Sequence, residues 1–156
     1  MYNLLVFIHL VGVLGFVLSH GVSTWMTLAV RREREPERLR TLLDLSASTT
    51  MAFYISTFLL LLGGVGAGFD GHWWGQAWIS VALGVFLAEM VFMWALTRPY
   101  FRRLRRAMAI AQGGGTAVGS REIEQLIDSP VPLLSLWVGT GGLLFIAYLM
   151  IWQPVW

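Results

Sequence analysis

The chain has no cysteine, and all eleven of its basic residues are arginine. Without cysteine there are no disulfides, thiolate metal sites, iron–sulfur clusters or Cys-x-x-Cys redox chemistry. Charge is sparse: 13 % of residues are charged, against about 25 % in soluble domains. The first thirty residues hold no acid and no arginine. Internal repeats and low-complexity tracts are absent too, so nothing suggests more than one domain. With 56 % hydrophobic residues and a mean hydropathy of +0.66, an ordinary soluble fold is excluded.

The arginines are clustered. Five fall at Arg31, Arg32, Arg34, Arg38 and Arg40, five at Arg98, Arg102, Arg103, Arg105 and Arg106, and the last is Arg121. A sequence pI near 9.5 could suggest nucleic acid, but each cluster abuts a long apolar run. That pattern belongs to membrane-flanking loops. The opening apolar run has no basic residue before it and is about twice the length of a signal-peptide core, so it is expected to be retained.

Four segments are long enough to cross about 30 Å of hydrocarbon: 3–30, 45–68, 76–97 and 131–152. Backbone groups in lipid must bond within their own segment, so the spans are helices. The expected architecture is all-α, a single 1–156 domain forming an up-down four-helix membrane bundle. All arginines lie in the 31–40 and 98–121 connections, which places these in the cytoplasm and both termini outside, in a bacterial inner (plasma) membrane. Trp73, Trp74, Trp78, Trp152 and Trp156 then sit at the outer interface. Pro36 suits the first turn of the second helix. Residues 100–112 read as a basic amphipathic extension of span three that meets anionic lipid headgroups and breaks at Gly113-Gly114-Gly115. A short helix is expected at about 120–128, with Glu122 and Glu124 in its first turn.

His9 and His20 lie eleven residues apart in the first span, which at about 100° and 1.5 Å per residue puts both on one face, roughly 16 Å apart. Steps of three and four extend that face as His9, Gly12, Phe16, His20, Ser23 and Thr27, an interior stripe. Leu5, Val6, Val13, Leu14 and Val17 are expected against lipid. Counting depth from the arginine-rich ends places His20 near the midplane with Met51, Tyr54, Glu89, Met90 and Thr140. His9 falls in the outer half, level with Tyr148 and Gly63–Gly66.

Glu89 is the one acid deep within a span, and a charge there costs at least about 3 kcal/mol on insertion scales. His20 is the one basic group at its depth, so the two are expected to touch, either as a structural polar pair or as part of a cofactor or proton site. His9 either bonds a neighbouring carbonyl or tyrosine, or ligates haem through a neutral imidazole. Two histidines so far apart on one helix cannot hold both faces of one haem. The second axial ligand would come from Met51, Met90, Met93, Tyr54 or Tyr148, or from a second copy of the chain. His72, beside Asp70, reads as a surface histidine, with an outward metal site as the alternative. The methionines read as packing or lipid-facing residues rather than copper ligands. The Gly84/Ala88 pair and Gly139–Gly142 read as close-packing positions, the latter also as room for a flat ligand.

The opening Phe7-Ile8-His9-Leu10-Val11-Gly12, the exit RREREPERLRTLLDLS and the four-span topology resemble an uncharacterised bacterial family of four-helix integral membrane proteins, a domain of unknown function. The first helix is more remotely similar to those of copper-resistance protein D and HemJ-type protoporphyrinogen oxidases. The resemblance implies a b-type haem, with His9 as its ligand. The chain departs from the HemJ pattern in the spacing of its second histidine and in lacking basic residues deep in the later spans, so it does not imply that oxidase activity. The leading expectation is a membrane b-type haem protein acting in electron transfer or haem-dependent oxidation, as a homodimer or within a larger complex, with His9 and His20 as metal ligands and Glu89 as a proton carrier. The alternatives are a non-enzymatic channel, carrier or assembly subunit built on His20–Glu89, and copper handling.

Overall fold

A computed structural model describes residues 1–113 and 116–154; Gly114, Gly115, Val155 and Trp156 lie outside them. The chain forms α1 (Tyr2–Arg32), α2 (Pro36–Asp70), α3 (Ala77–Phe92), a π turn (Met93–Thr97), α4 (Arg98–Gln112), α5 (Thr116–Ile127) and α6 (Val131–Trp152). No strand occurs among the described residues. Four helical stretches are long and apolar enough to cross a membrane, the third running unbroken over Ala77–Gln112. The protein is an all-α, multi-pass membrane bundle.

Local chemistry sets the element ends. Pro36 opens α2, where its missing N–H costs nothing. Just before it, the Glu33 carboxylate accepts the backbone N–H groups of Arg34 and Glu35 at 3.0 and 2.9 Å. These bonds, that of Glu35 first, hold the Glu33 carboxyl below the usual carboxylate range. Gly113 ends α4. α5 begins at Thr116, earlier than the sequence suggests, so Glu122 and Glu124 lie beyond its first turn.

The π turn has a local cause. Pro99 offers no N–H, and its ring would collide with the carbonyl four residues back, on Ala95. Widening the turn relieves this, and Arg98 N–H reaches Met93 O instead of Trp94 O. Thr97 lies eight residues after Glu89, which in a regular helix is about 80° round from it. One extra residue in the wide turn takes up about 100° and returns Thr97 to the interior. There it shares a 2.8 Å hydrogen bond with Ser135 of α6.

The bundle is two close pairs, α1 with α2 and α3 with α6. In the first, a Cβ on Gly12 would overlap the backbone at Leu60, and one on Gly63 the backbone at His9. Small residues here let two backbones touch, as expected in lipid, where apolar burial does not drive helices together. At the arginine-rich end the pairs are joined by a core of Val30, Leu39, Leu43, Tyr100, Leu104, Met108 and Ile127. Arg105 donates to Leu43 O, Arg31 donates to Ser129 O at 3.2 Å, and Arg34 pairs with Asp128 at 3.0 Å.

The interior stripe of α1 is largely as expected: Gly12, Phe16 and Thr27 are buried, and His9, His20 and Ser23 half-buried. Its lipid face differs. Leu14 and Val17 are exposed, but Leu5, Val6 and Val13 are half-buried. Leu5 packs at Gly66, and Val6 and Val13 line a cleft. The reason is that α1 touches α2 on one side while facing α3 and α6 on the other, so it buries a wider arc than one stripe. Gly84 and Ala88 point outward, and a Cβ on Gly84 would meet nothing within 4 Å. Trp25, Trp94 and Trp137 are exposed toward the arginine-rich end, a second aromatic girdle opposite Trp74 and Trp152.

Candidate functional site: an apolar cleft above a buried His–Glu pair

Away from the arginine-rich core the two helix pairs part, leaving a cleft of about 340 Å³. Its walls come from all four long helices, and Trp73, Trp74 and Trp78 line it at the tryptophan-rich end. Sequence reasoning placed these indoles in the interfacial belt. Trp73 and Trp78 are half-buried, edge to face at 6.3 Å between centroids. No arginine or acid lines the cleft; its polar side chains are Tyr2, His9, Gln153 and the indoles. An apolar concavity with a few polar groups is the usual form of a small-molecule site.

His9 is the cleft's one histidine. Its Nδ1 donates to Leu60 O at 2.8 Å. A carbonyl can only accept, so Nδ1 carries the hydrogen, and in the neutral ring Nε2 keeps its lone pair. Gly64 makes room for the ring: a Cβ there would stand 2.7 Å from Nδ1. An imidazole oriented by a carbonyl through one nitrogen and free at the other is the arrangement metal-ligating histidines share. Both readings of His9, carbonyl partner and potential ligand, therefore describe the same ring.

Phe16 and Phe86 close the bottom of the cleft. Both line it and both are buried, with centroids 5.8 Å apart, and Phe16 also packs on Phe53 at 4.9 Å. One turn further in on each helix come His20 and Glu89. The His20 ring lies parallel to Phe16 and against α6, its Cε1 2.6 Å from where a Cβ on Gly139 would stand. Glu89, 6 % exposed, lays its carboxyl over Gly142. Gly139 and Gly142 are one turn apart on the same face of α6, so the pair shares a wall, as the common depth implied. It shares no hydrogen bond: His20 Nε2 and Glu89 Oε1 are both buried without a partner. The room expected at Gly139–Gly142 for a flat ligand is taken by these two side chains.

The other candidates are not brought to the site. Met51 and Tyr54 are 68 % and 58 % exposed on the outer surface of α2. Tyr148, 46 % exposed, lies stacked between Phe145 and Trp152 on the outside of α6. Met90 is half-buried and does not line the cleft. Met93 accepts a 3.4 Å hydrogen bond from Thr97. His72 is exposed in the connecting turn with φ 56°. Among the described residues, no group of three or more histidine and acidic side chains is placed to hold a metal ion. Sequence reasoning missed Phe86 and Met150. Phe86 was detectable as the residue one turn outward of Glu89. Met150 lines the cleft from α6, and no sequence pattern pointed there.

Comparisons of the chain with family models, with curated proteins and with solved structures return no match.

Proposed function

We propose that this chain is a small haem b protein of the bacterial inner membrane, acting in electron transfer or haem-dependent oxidation, with the group seated in the cleft on His9. The observation that carries the reading is the His9 ring: fixed through Nδ1, free at Nε2, and lining an apolar cleft. The cleft fits such a group in its apolar lining and its single oriented imidazole. Met51, Tyr54 and Tyr148 do not reach the cleft, so His9, and Met150 from the facing wall, are the residues that would hold the group. When bound, haem supplies a one-electron couple. The chain's own part is to orient His9, exclude water with apolar walls, and place indole N–H groups at the mouth. In this reading the arginine loops face the cytoplasm, Arg102, Arg103 and Arg106 rest on anionic headgroups, and a second copy or larger complex completes the assembly.

The test is the absorption spectrum of detergent-purified protein. A Soret band that is lost in His9→Ala and kept in His20→Ala is expected. A colourless protein with no haem in a pyridine extract overturns the reading. The unpartnered His20 and Glu89 favour a second reading, a carrier, channel component or assembly subunit without a redox group. A colourless but stably folded protein would select it. Copper handling has the least support, because Met150 is the one methionine that lines the cleft with His9.

A further inference from the structure

We infer that His20 and Glu89 form a mid-membrane proton-exchange site, reached from the tryptophan-rich end through the Phe16–Phe86 floor of the cleft. The inference does not require a group in the cleft, but one seated there would cover the floor and slow entry by this route.

Three features support it. First, the site is built: a buried carboxyl and an imidazole reach adjacent glycines of α6, each with a buried polar atom that no protein group satisfies. Buried polar atoms left unpaired are expensive, and a proton shared through water would satisfy both. Moving it breaks the Glu89 O–H bond and forms an N–H bond at His20 Nε2, converting carboxylic acid and neutral imidazole into carboxylate and imidazolium. Both forms are neutral overall, which limits the cost of holding them in the membrane.

Second, nothing else there titrates. Within the spans, α2 offers only Tyr54 and α6 only Tyr148, both facing outward; His9 lies above the aromatic floor, on α1. The surfaces of α6 against the pair are Gly139 and Gly142.

Third, the two directions of approach are unequal. Toward the tryptophan-rich end a single layer, Phe16 and Phe86, separates the pair from the cleft. Toward the arginine-rich end lie the buried Thr97–Ser135 hydrogen bond and then the packed core around Leu39, Leu43 and Leu104. Rotation of one phenyl ring opens the first path; the second requires the core to come apart.

The natural absence of cysteine makes the test direct. Glu89→Cys is reconstituted in vesicles of known orientation and exposed to a membrane-impermeant cationic methanethiosulfonate from either side. Modification from the tryptophan-rich side is expected, roughly tenfold faster when Phe86→Ala is added, with none from the arginine-rich side. In the wild type, a hydrophobic carbodiimide, which attacks only protonated carboxyls, should leave its adduct on the Glu89 peptide, and Glu89→Gln should abolish it. Reaction from the arginine-rich side alone, a rate indifferent to Phe86→Ala, or no carbodiimide adduct on Glu89 overturns the proposal. If the cysteine variant does not fold, the carbodiimide rate in wild type against Phe86→Ala decides, faster labelling supporting the proposal and an equal rate refuting it.

Discussion

The two ends of the bundle are held together in different ways. At the arginine-rich end seven buried side chains form one core, with Leu104 and Leu39 sealed from the surface. At the tryptophan-rich end the helix pairs separate around a cleft, and contact between α1 and α2 rests on glycines such as Gly12 and Gly63. The arginine-rich end extends past the hydrocarbon, where water drives apolar side chains inward. Deeper in the membrane lipid is as apolar as leucine, so cohesion comes from backbone approach and a few polar contacts. Stability is concentrated at one end and the space for chemistry at the other.

The sharpest way to break this contrast is a matched pair of truncations. Leu104→Ala should cost about 2–5 kcal/mol, the range for a fully packed leucine, and should lower the unfolding midpoint in detergent. Leu83→Ala, on the half-buried cleft wall, should cost less than about 1 kcal/mol, since it enlarges an existing space. Equal losses would show that the cleft is as tightly packed as the core. Gly63→Val comes next, at about 1–3 kcal/mol, because its Cβ meets the His9 backbone rather than a movable side chain; circular dichroism melts would read it. Thr97→Val, which leaves the buried Ser135 hydroxyl unpaired, should cost about 1 kcal/mol.

The smallest effect lies at the surface. Glu33 is held below its ordinary carboxylate pKa by the N–H groups that begin α2. Its contribution is therefore complete above that ordinary value and is lost as pH falls through the lowered one. A melting difference between wild type and Glu33→Gln that shrinks on acidification checks the sign.

Much of this could be read from residue order. Span positions followed from apolar length and arginine placement, and the common depth of His20 and Glu89 from rise per residue. Three things were hidden. The π turn was missed because counting at a fixed 100° assumes a regular helix, although Pro99 marked the place. The cleft was missed because it arises from how two helix pairs diverge, and periodicity within a single helix carries no trace of that. The outward orientation of Met51, Tyr54 and Tyr148 was missed because depth fixes height and not azimuth.

The wide turn at Met93–Thr97 makes the third helix sensitive to a single substitution. If Pro99→Ala lets the same residues wind as a regular spiral, the upstream segment rotates by about 100° against the arginine-anchored portion. Glu89 would then swing off Gly142 toward the acyl chains, carrying Phe86 with it. One spare residue therefore keeps the deep carboxyl indoors.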